Sequence, residues 1–232
     1  MMQIGYSAME EVIMSNRFLR NKDLIDQGKL TDLTIIGAGG IGSSLIINAT
    51  IMGFRQIAVW DHDILEEHNL STTVYPEEYL GTKKAVTAGI FASRFNNNVN
   101  IISHAEKWFS TCDITDMVFV CTDDMESRWA AYKAWRNRDT RIFFIDMRMG
   151  ALSMEIITTT KNHDYYGSTW QPSEDIPDEA CTMKHTIFTG SIASGYGLSQ
   201  AFNVLQDMRY YAYIWMSLSP NIFRRDKLVL TQ

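Results

Sequence analysis

The chain has 232 residues, 46% of them hydrophobic and 21% charged, which suits one globular α/β domain with a sizeable core and excludes a disordered or fibrous protein. A net charge of −6, with no block of five or six basic residues, argues against a protein devoted to nucleic acid. Cys112, Cys121 and Cys181 lie far apart with no C-x-x-C pair, so neither a disulfide framework nor the usual structural zinc site is expected, and a reducing, cytoplasmic setting follows.

In chain order, Tyr6–Gln27 favours helix and is expected to form an N-terminal arm, within residues 1–30, lying on a partner surface. No targeting peptide is expected ahead of it, because Glu10 and Glu11 stand where a basic and then apolar signal would begin. Thr34–Asp63 then reads as strand, glycine loop, uncharged helix, strand and two acids. The loop is Gly37-x-Gly39-Gly40-x-Gly42, and Asp61 and Asp63 follow at the distance of a ribose-binding acid. Glycines there let backbone N–H groups approach a phosphate at a helix N-terminus, where orphan donors and the helix dipole favour negative charge. This is a nucleotide-binding βαβ pattern, and alone it does not fix the chemistry.

Beyond it come a loop to Thr82, a helix over about Lys83–Phe95, a strand near Asn100–His104 and a buried strand at Met117–Cys121. Thr122 and Asp123 sit at that strand's C-terminal end, where open parallel sheets bind ligands. A helix at about Glu126–Arg138, capped by Asp124, precedes the strand Ile142–Asp146 and an alternating strand at Ala151–Thr159 that suits antiparallel pairing. Residues 160–185 form a long crossing loop, Gly190–Gly197 opens a helix to about Arg209, and Lys227–Leu230 is a terminal strand. The uncharged stretches Leu33–Phe54 and Thr186–Gln206 are broken by glycines and polar residues and read as buried core, with no membrane span. The expected fold is a single Rossmann-like, doubly wound domain over 1–232, mainly parallel, with an antiparallel C-terminal extension.

The acids are followed by Asn69-Leu70, then Gly81-x-x-Lys84, then Cys121-Thr122-Asp123-Asp124 with Arg128. In this order and spacing the chain resembles the ThiF/MoeB/HesA family, the Rossmann-like adenylating enzymes that include the activating enzymes of ubiquitin and ubiquitin-like proteins. The likeness runs from about Arg17 to Gln206.

The resemblance implies ATP and Mg²⁺ as cofactors and adenylation of the C-terminal carboxylate of a ubiquitin-like protein or peptide. Asp61 would accept from ribose hydroxyls, Asn69 and Lys84 would hold the phosphates, and Asp123 would help position Mg²⁺. Arg17-x-x-Arg20 is similar to the family's arginine motif ahead of the first strand, so Arg20 would act across a homodimer. Cys181, in the crossing loop, would accept the activated acyl group or take part in sulfur transfer.

The chain departs from the family at Thr72, which stands where an arginine grips the outer phosphates. A threonine brings neither charge nor a bidentate fork. Lys83, Arg55 and Arg148 are the candidate replacements, and without one the chain would be a nucleotide-binding scaffold. A nicotinamide-dependent oxidoreductase would use the same glycine loop and Asp61, but its chemistry does not account for Asn69, Lys84 and Asp123 together. His62, His68 and His185 read as hydrogen-bonded scaffolding, Cys112 and Cys121 as structural, and Tyr210, Tyr211, Tyr213 and Trp215 as core or dimer interface.

Overall fold

The computed structural model describes residues 16–169 and 185–229. Its centre is one eight-stranded sheet in the order β3-β2-β1-β4-β5-β6-β7-β8. The first five strands run parallel: β1 (Asp32–Ile36), β2 (Gln56–Trp60), β3 (Asn100–His104), β4 (Met117–Val120) and β5 (Phe143–Gly150). Three antiparallel strands extend it: β6 (Ser153–Thr160), β7 (Tyr210–Leu218) and β8 (Asn221–Val229).

The hydrophobic pattern sets which helix covers which face. Alternate strand residues Leu33, Ile35, Ile57, Val59, Phe119, Ile145 and Met147 are buried in one cluster with the apolar sides of α1 (Gly42–Met52), α2 (Lys84–Ser93) and α4 (Ile187–Leu205). On the other face Ile36, Trp60, Val118, Val120 and Phe144 pack with Tyr132 and Trp135 of α3 (Met125–Arg136) and with Trp108 and Tyr166. Helices on both faces make the sheet doubly wound, as expected from sequence.

The chain leaves β1 for β2 and β3 on one side and returns to β4 on the other, so the strand order reverses between β1 and β4. Ligands of open α/β sheets bind beyond the strand C-termini at such a switch point. Here Gly37 N–H donates to the Trp60 carbonyl at 2.8 Å and Cys121 N–H to that of Ile36 at 2.7 Å, which binds the loops after β1, β2 and β4 into one rim.

Three expectations change. Within the described part of the arm, helix stops at Arg17 and turns follow to Leu24, because i→i+3 bonds such as Asn21 N–H to the Phe18 carbonyl replace the α ladder. In the described part of the arm, the buried side chain of Phe18 packs on its own chain against Gly53. The final helix ends at Leu205, ahead of Asp207, which has φ +53°. The segment after it is a full hairpin, β7–β8, in place of the single strand expected at Lys227–Leu230. Gln200 anchors the start of β7 by accepting from Tyr211 N–H at 2.8 Å.

Candidate nucleotide-binding site

A cavity of about 430 Å³ opens at the switch point. It is lined by the glycine loop, by Asp61–Asp63 after β2, by Glu106–Trp108 after β3, by Cys121–Asp124 after β4, and by Lys84, Arg128, Met149 and His185. Of the twelve site residues expected from sequence, Gly37, Gly39, Gly40, Asp61, Asp63, Lys84 and Asp123 line it together.

The glycines have distinct jobs. Gly37 has φ +98°, and a Cβ there would lie 2.8 Å from the Cys121 carbonyl, so this residue lets the loop turn tightly against the end of β4. Gly39 has nothing within 4 Å of a Cβ and presents bare backbone to the cavity. Gly42 is outside the cavity lining. A Cβ there would lie 2.0 Å from the Gly37 carbonyl oxygen, so it serves helix–loop packing.

Helix α1, which the loop opens, has no side-chain N-cap, unlike α3 and α4, capped by Asp124 and Thr186. No side chain accepts from its first turn, where Ser43 N–H donates to the Gly39 carbonyl at 2.9 Å, and a helix N-terminus without a side-chain cap suits an anion.

Asp61 accepts from Ala38 N–H at 2.7 Å through Oδ2 and from Asp63 N–H at 2.8 Å through Oδ1. Each oxygen keeps a lone pair with which to accept a sugar hydroxyl. Burial raises this carboxyl above its ordinary range, and the two N–H donors oppose that rise.

Lys84 occupies the first position of α2, against the helix dipole, and is buried. Asp63 compensates, its Oδ2 accepting from Lys84 Nζ at 2.9 Å. Burial alone would raise the Asp63 carboxyl, but the hydrogen bond and charge of Lys84 hold it below the ordinary range. The result is a positioned ammonium at the cavity wall.

After β4, Asp123 is exposed to the cavity while Asp124 caps α3, accepting from Glu126 N–H at 3.1 Å, and pairs with Lys107 at 2.9 Å. Arg128 bonds neither acid. It is buried and donates to Asp146 and to the Thr122 carbonyl, and at 3.2 Å to the Met147 carbonyl. Burial, and then the charge of Arg148, bring its pKa down to about 10, so it stays charged at neutral pH. Arg128 thus fixes the turn that presents Asp123. Cys121 lines the cavity, but burial pushes its thiol up to about 12, which keeps it protonated and unreactive.

Asn69 and Thr72 stand beside the main cavity. Asn69 lines a smaller adjoining one with Asp63, Lys83 and Lys84, its Oδ1 accepting from Glu66 N–H at 3.1 Å, which leaves its NH₂ donors for a ligand. The Thr72 hydroxyl donates to the Asn69 carbonyl at 3.2 Å, and its own carbonyl lies behind Gly40. Their segment is fastened to the glycine loop by Val74 N–H to Ser43 Oγ at 3.4 Å and by Tyr75 OH to the Ala38 carbonyl at 3.0 Å.

Of the cations considered in place of an arginine at 72, two are engaged elsewhere. Arg148 pairs with Asp146 and Glu155, and Arg55 sits at the opposite end of the sheet, 3.8 Å from Asp32. Lys83 remains at the smaller cavity, its Nζ donating to the His62 carbonyl at 2.6 Å. Arg20 is exposed, two residues from Phe18, whose contact with Gly53 places the arm at the far end of α1. That is about 16 Å from the glycine loop for an eleven-residue helix. Cys181 lies outside the described residues.

Sequence reasoning missed Met149, Lys107 and the Asp146 partner of Arg128. Only the adjacency of β4 and β5 brings Asp146 to Arg128 and Met149 to the cavity, and no local motif announces it.

Fold and site together define a doubly wound α/β domain whose switch-point cavity combines a glycine loop, a hydrogen-bonded carboxylate and a fixed lysine. The chain belongs to the ThiF family, whose profile matches residues 17–211. Among similar curated proteins, ubiquitin-like modifier-activating enzyme 5 of Drosophila erecta is 22% identical over 86% of this chain and 56% of its own length. SUMO-activating enzyme subunit 2 of Dictyostelium discoideum is 31% identical over 34% of this chain and 12% of its own length. The chain thus spans about half or less of these relatives. Similar folds include PaaA, with a TM-score of 0.75, 16% identity and coverage of 94% of this chain and 74% of that one. MccB of E. coli, solved with ATP, gives 0.69 and 15% over 93% and 72%.

Proposed function

We propose that the protein binds ATP with Mg²⁺ and adenylates the C-terminal carboxylate of a ubiquitin-like protein or a peptide. The observation that carries this reading is the convergence of the glycine loop, Asp61, Lys84 and Asp123 on one cavity. The residues fit the nucleotide. The bare backbone at Gly39 and uncapped α1 suit phosphate, Asp61 has lone pairs for ribose, and Lys84 supplies charge. The exposed carboxylate of Asp123 is an oxygen ligand of the kind Mg²⁺ takes.

In the reaction a carboxylate oxygen of the acceptor bonds to the α-phosphorus, the bond from that phosphorus to the β-phosphate bridge breaks, and pyrophosphate leaves. Catalysis then needs fixed cations and donors where charge builds up. Lys84 neutralises developing charge, Asn69 NH₂ and Lys83 hold the outer phosphates in place of the arginine missing at 72, and Arg128 keeps the Asp123 turn rigid. A homodimer brings Arg20 to the partner's cavity, in keeping with its distance from its own. The Cys181 thiol then gives up its proton and its sulfur bonds to the acyl carbon, the bond from that carbon to the adenylate oxygen breaks, and AMP leaves behind a thioester. Relatives named for ubiquitin-like modifier activation, and MccB solved with MccA, support an acceptor of this class.

The test is exchange of radiolabelled pyrophosphate into ATP, with Mg²⁺ and candidate acceptors ending in Gly-Gly. Acceptor-dependent exchange is expected. ATP binding without exchange for any acceptor would establish the second reading, a nucleotide-binding scaffold, which Thr72 favours. Tight NADH binding with no ATP binding would sink both.

A further inference from the structure

Strand β8 forms an edge of the sheet, and all but its last residue are exposed. In a chain of net charge −6 it carries three cations, Arg224, Arg225 and Lys227, against one acid, Asp226. Among the described residues none of the three forms an ion pair. Each lies over an aromatic ring instead: Arg224 over Trp215 at 5.4 Å, Arg225 over Tyr211 at 5.0 Å, and Lys227 over Tyr165 at 4.2 Å from the ring centres. A cation held on a ring loses little further freedom when it meets an anion, and its charge is uncompensated.

An edge strand also offers unpaired backbone N–H and carbonyl groups, the template for adding an extended strand. Backbone pairing selects a polypeptide, and three cations select an acidic one. Nucleic acid lacks the first property, and the net negative charge repels it.

We propose that the free edge of β8 docks an extended acidic segment of the acceptor, with Arg224, Arg225 and Lys227 reading its carboxylates. The identity of the partner as the acceptor rests on the adenylation reading above. The sheet register supports that link, since Arg148, Glu155, Trp215 and Arg224 stand side by side across β5 to β8. Three strand spacings make on the order of 14 Å from Arg148, next to the cavity residue Met149, to Arg224. About four or five extended residues bridge that distance, so a segment docked on β8 leaves a short tail able to reach the cavity.

The test uses a fluorescein-labelled decapeptide alternating Glu with Val, a Lys-for-Glu control, and a version with N-methylated amides on its pairing edge, read by fluorescence anisotropy. The Glu peptide should bind, the Lys peptide should not, and N-methylation should weaken binding at least fivefold. The charge-reversed variant R224E/R225E/K227E should lose at least tenfold while keeping its circular dichroism spectrum and its affinity for a fluorescent ATP analogue. Equal binding of Glu and Lys peptides overturns the proposal, as does unchanged affinity in the variant. So does tighter binding of a single-stranded oligonucleotide than of the Glu peptide, or a wild-type dimer that the variant disperses, which would make a second copy the occupant. The assay needs no ATP turnover, so absent pyrophosphate exchange with intact Glu-peptide binding counts against adenylation alone.

Discussion

Substituting alanine for Gly39 and, separately, for Gly42 divides the glycine loop into its binding and its packing parts. At Gly39 an added methyl meets nothing within 4 Å, so folding loses nothing to a clash and gains up to about 0.5–1 kcal/mol from a stiffer unfolded chain. At Gly42 the methyl would lie 2.0 Å from the Gly37 carbonyl oxygen, well inside the 3.4 Å at which ordinary contact begins, and against backbone that cannot swing aside. Overpacking of that kind costs about 1–3 kcal/mol or more. For 232 residues this corresponds to a fall of roughly 2–12 °C in Tm, from about 2–4 °C per kcal/mol. Phosphate binding reverses the ranking. The Gly39 methyl occupies the cavity face of the loop, and loss of one charge-assisted hydrogen bond of about 1.5–3 kcal/mol weakens ATP by roughly 10- to 150-fold. Thermal melts and titration with a fluorescent ATP analogue read the two effects separately. A Gly39→Ala protein that melts more than 4 °C low, or that binds ATP as the wild type does, would refute the division.

Three further outcomes follow from the site. Lys84→Met keeps the buried stem and removes the ammonium, so stability should change by no more than about 1 kcal/mol, because Asp63 is half exposed, while ATP affinity falls at least tenfold; a twofold change in titration would contradict the assigned role. Asp63 and Asp124 both titrate below their ordinary range, so the stability they contribute is complete above the unfolded carboxylate range and is lost as pH falls through their folded values. Urea unfolding between pH 7 and pH 3 should therefore show a shallower acid loss for Asp124→Asn, which keeps the cap, and about 1 kcal/mol lower stability at pH 7 for Asp124→Ala. Cys121 should resist iodoacetamide at pH 8 in the folded protein and react after unfolding, as peptide mass mapping would show; labelling at the rate of the denatured chain would contradict its protonated, half-buried state.

The parallel half of the fold was legible because each strand is a short apolar run bounded by turn residues, and the helices between them carry apolar faces. The C-terminal hairpin was not. Tyr210–Leu218 is nearly continuously apolar, so alternation does not mark it, although Tyr210, Ala212 and Ile214 are the buried face. Strand β8 is exposed on both sides and has no hydrophobic pattern to read. In the site, the residues attached to strand ends were legible because strand C-termini in a parallel sheet meet in space. The partner of Arg128 was not legible, since Asp146 is far in the chain and comes near only through the neighbouring strand.

Gly190, in the first turn of α4, lies against the glycine loop backbone so closely that a Cβ would stand 2.4 Å from the Gly40 carbonyl oxygen. Two backbones touching without side chains between them behave as one solid piece. A displacement of the glycine loop therefore pushes directly on the first turn of α4, with no side chain between them to absorb it.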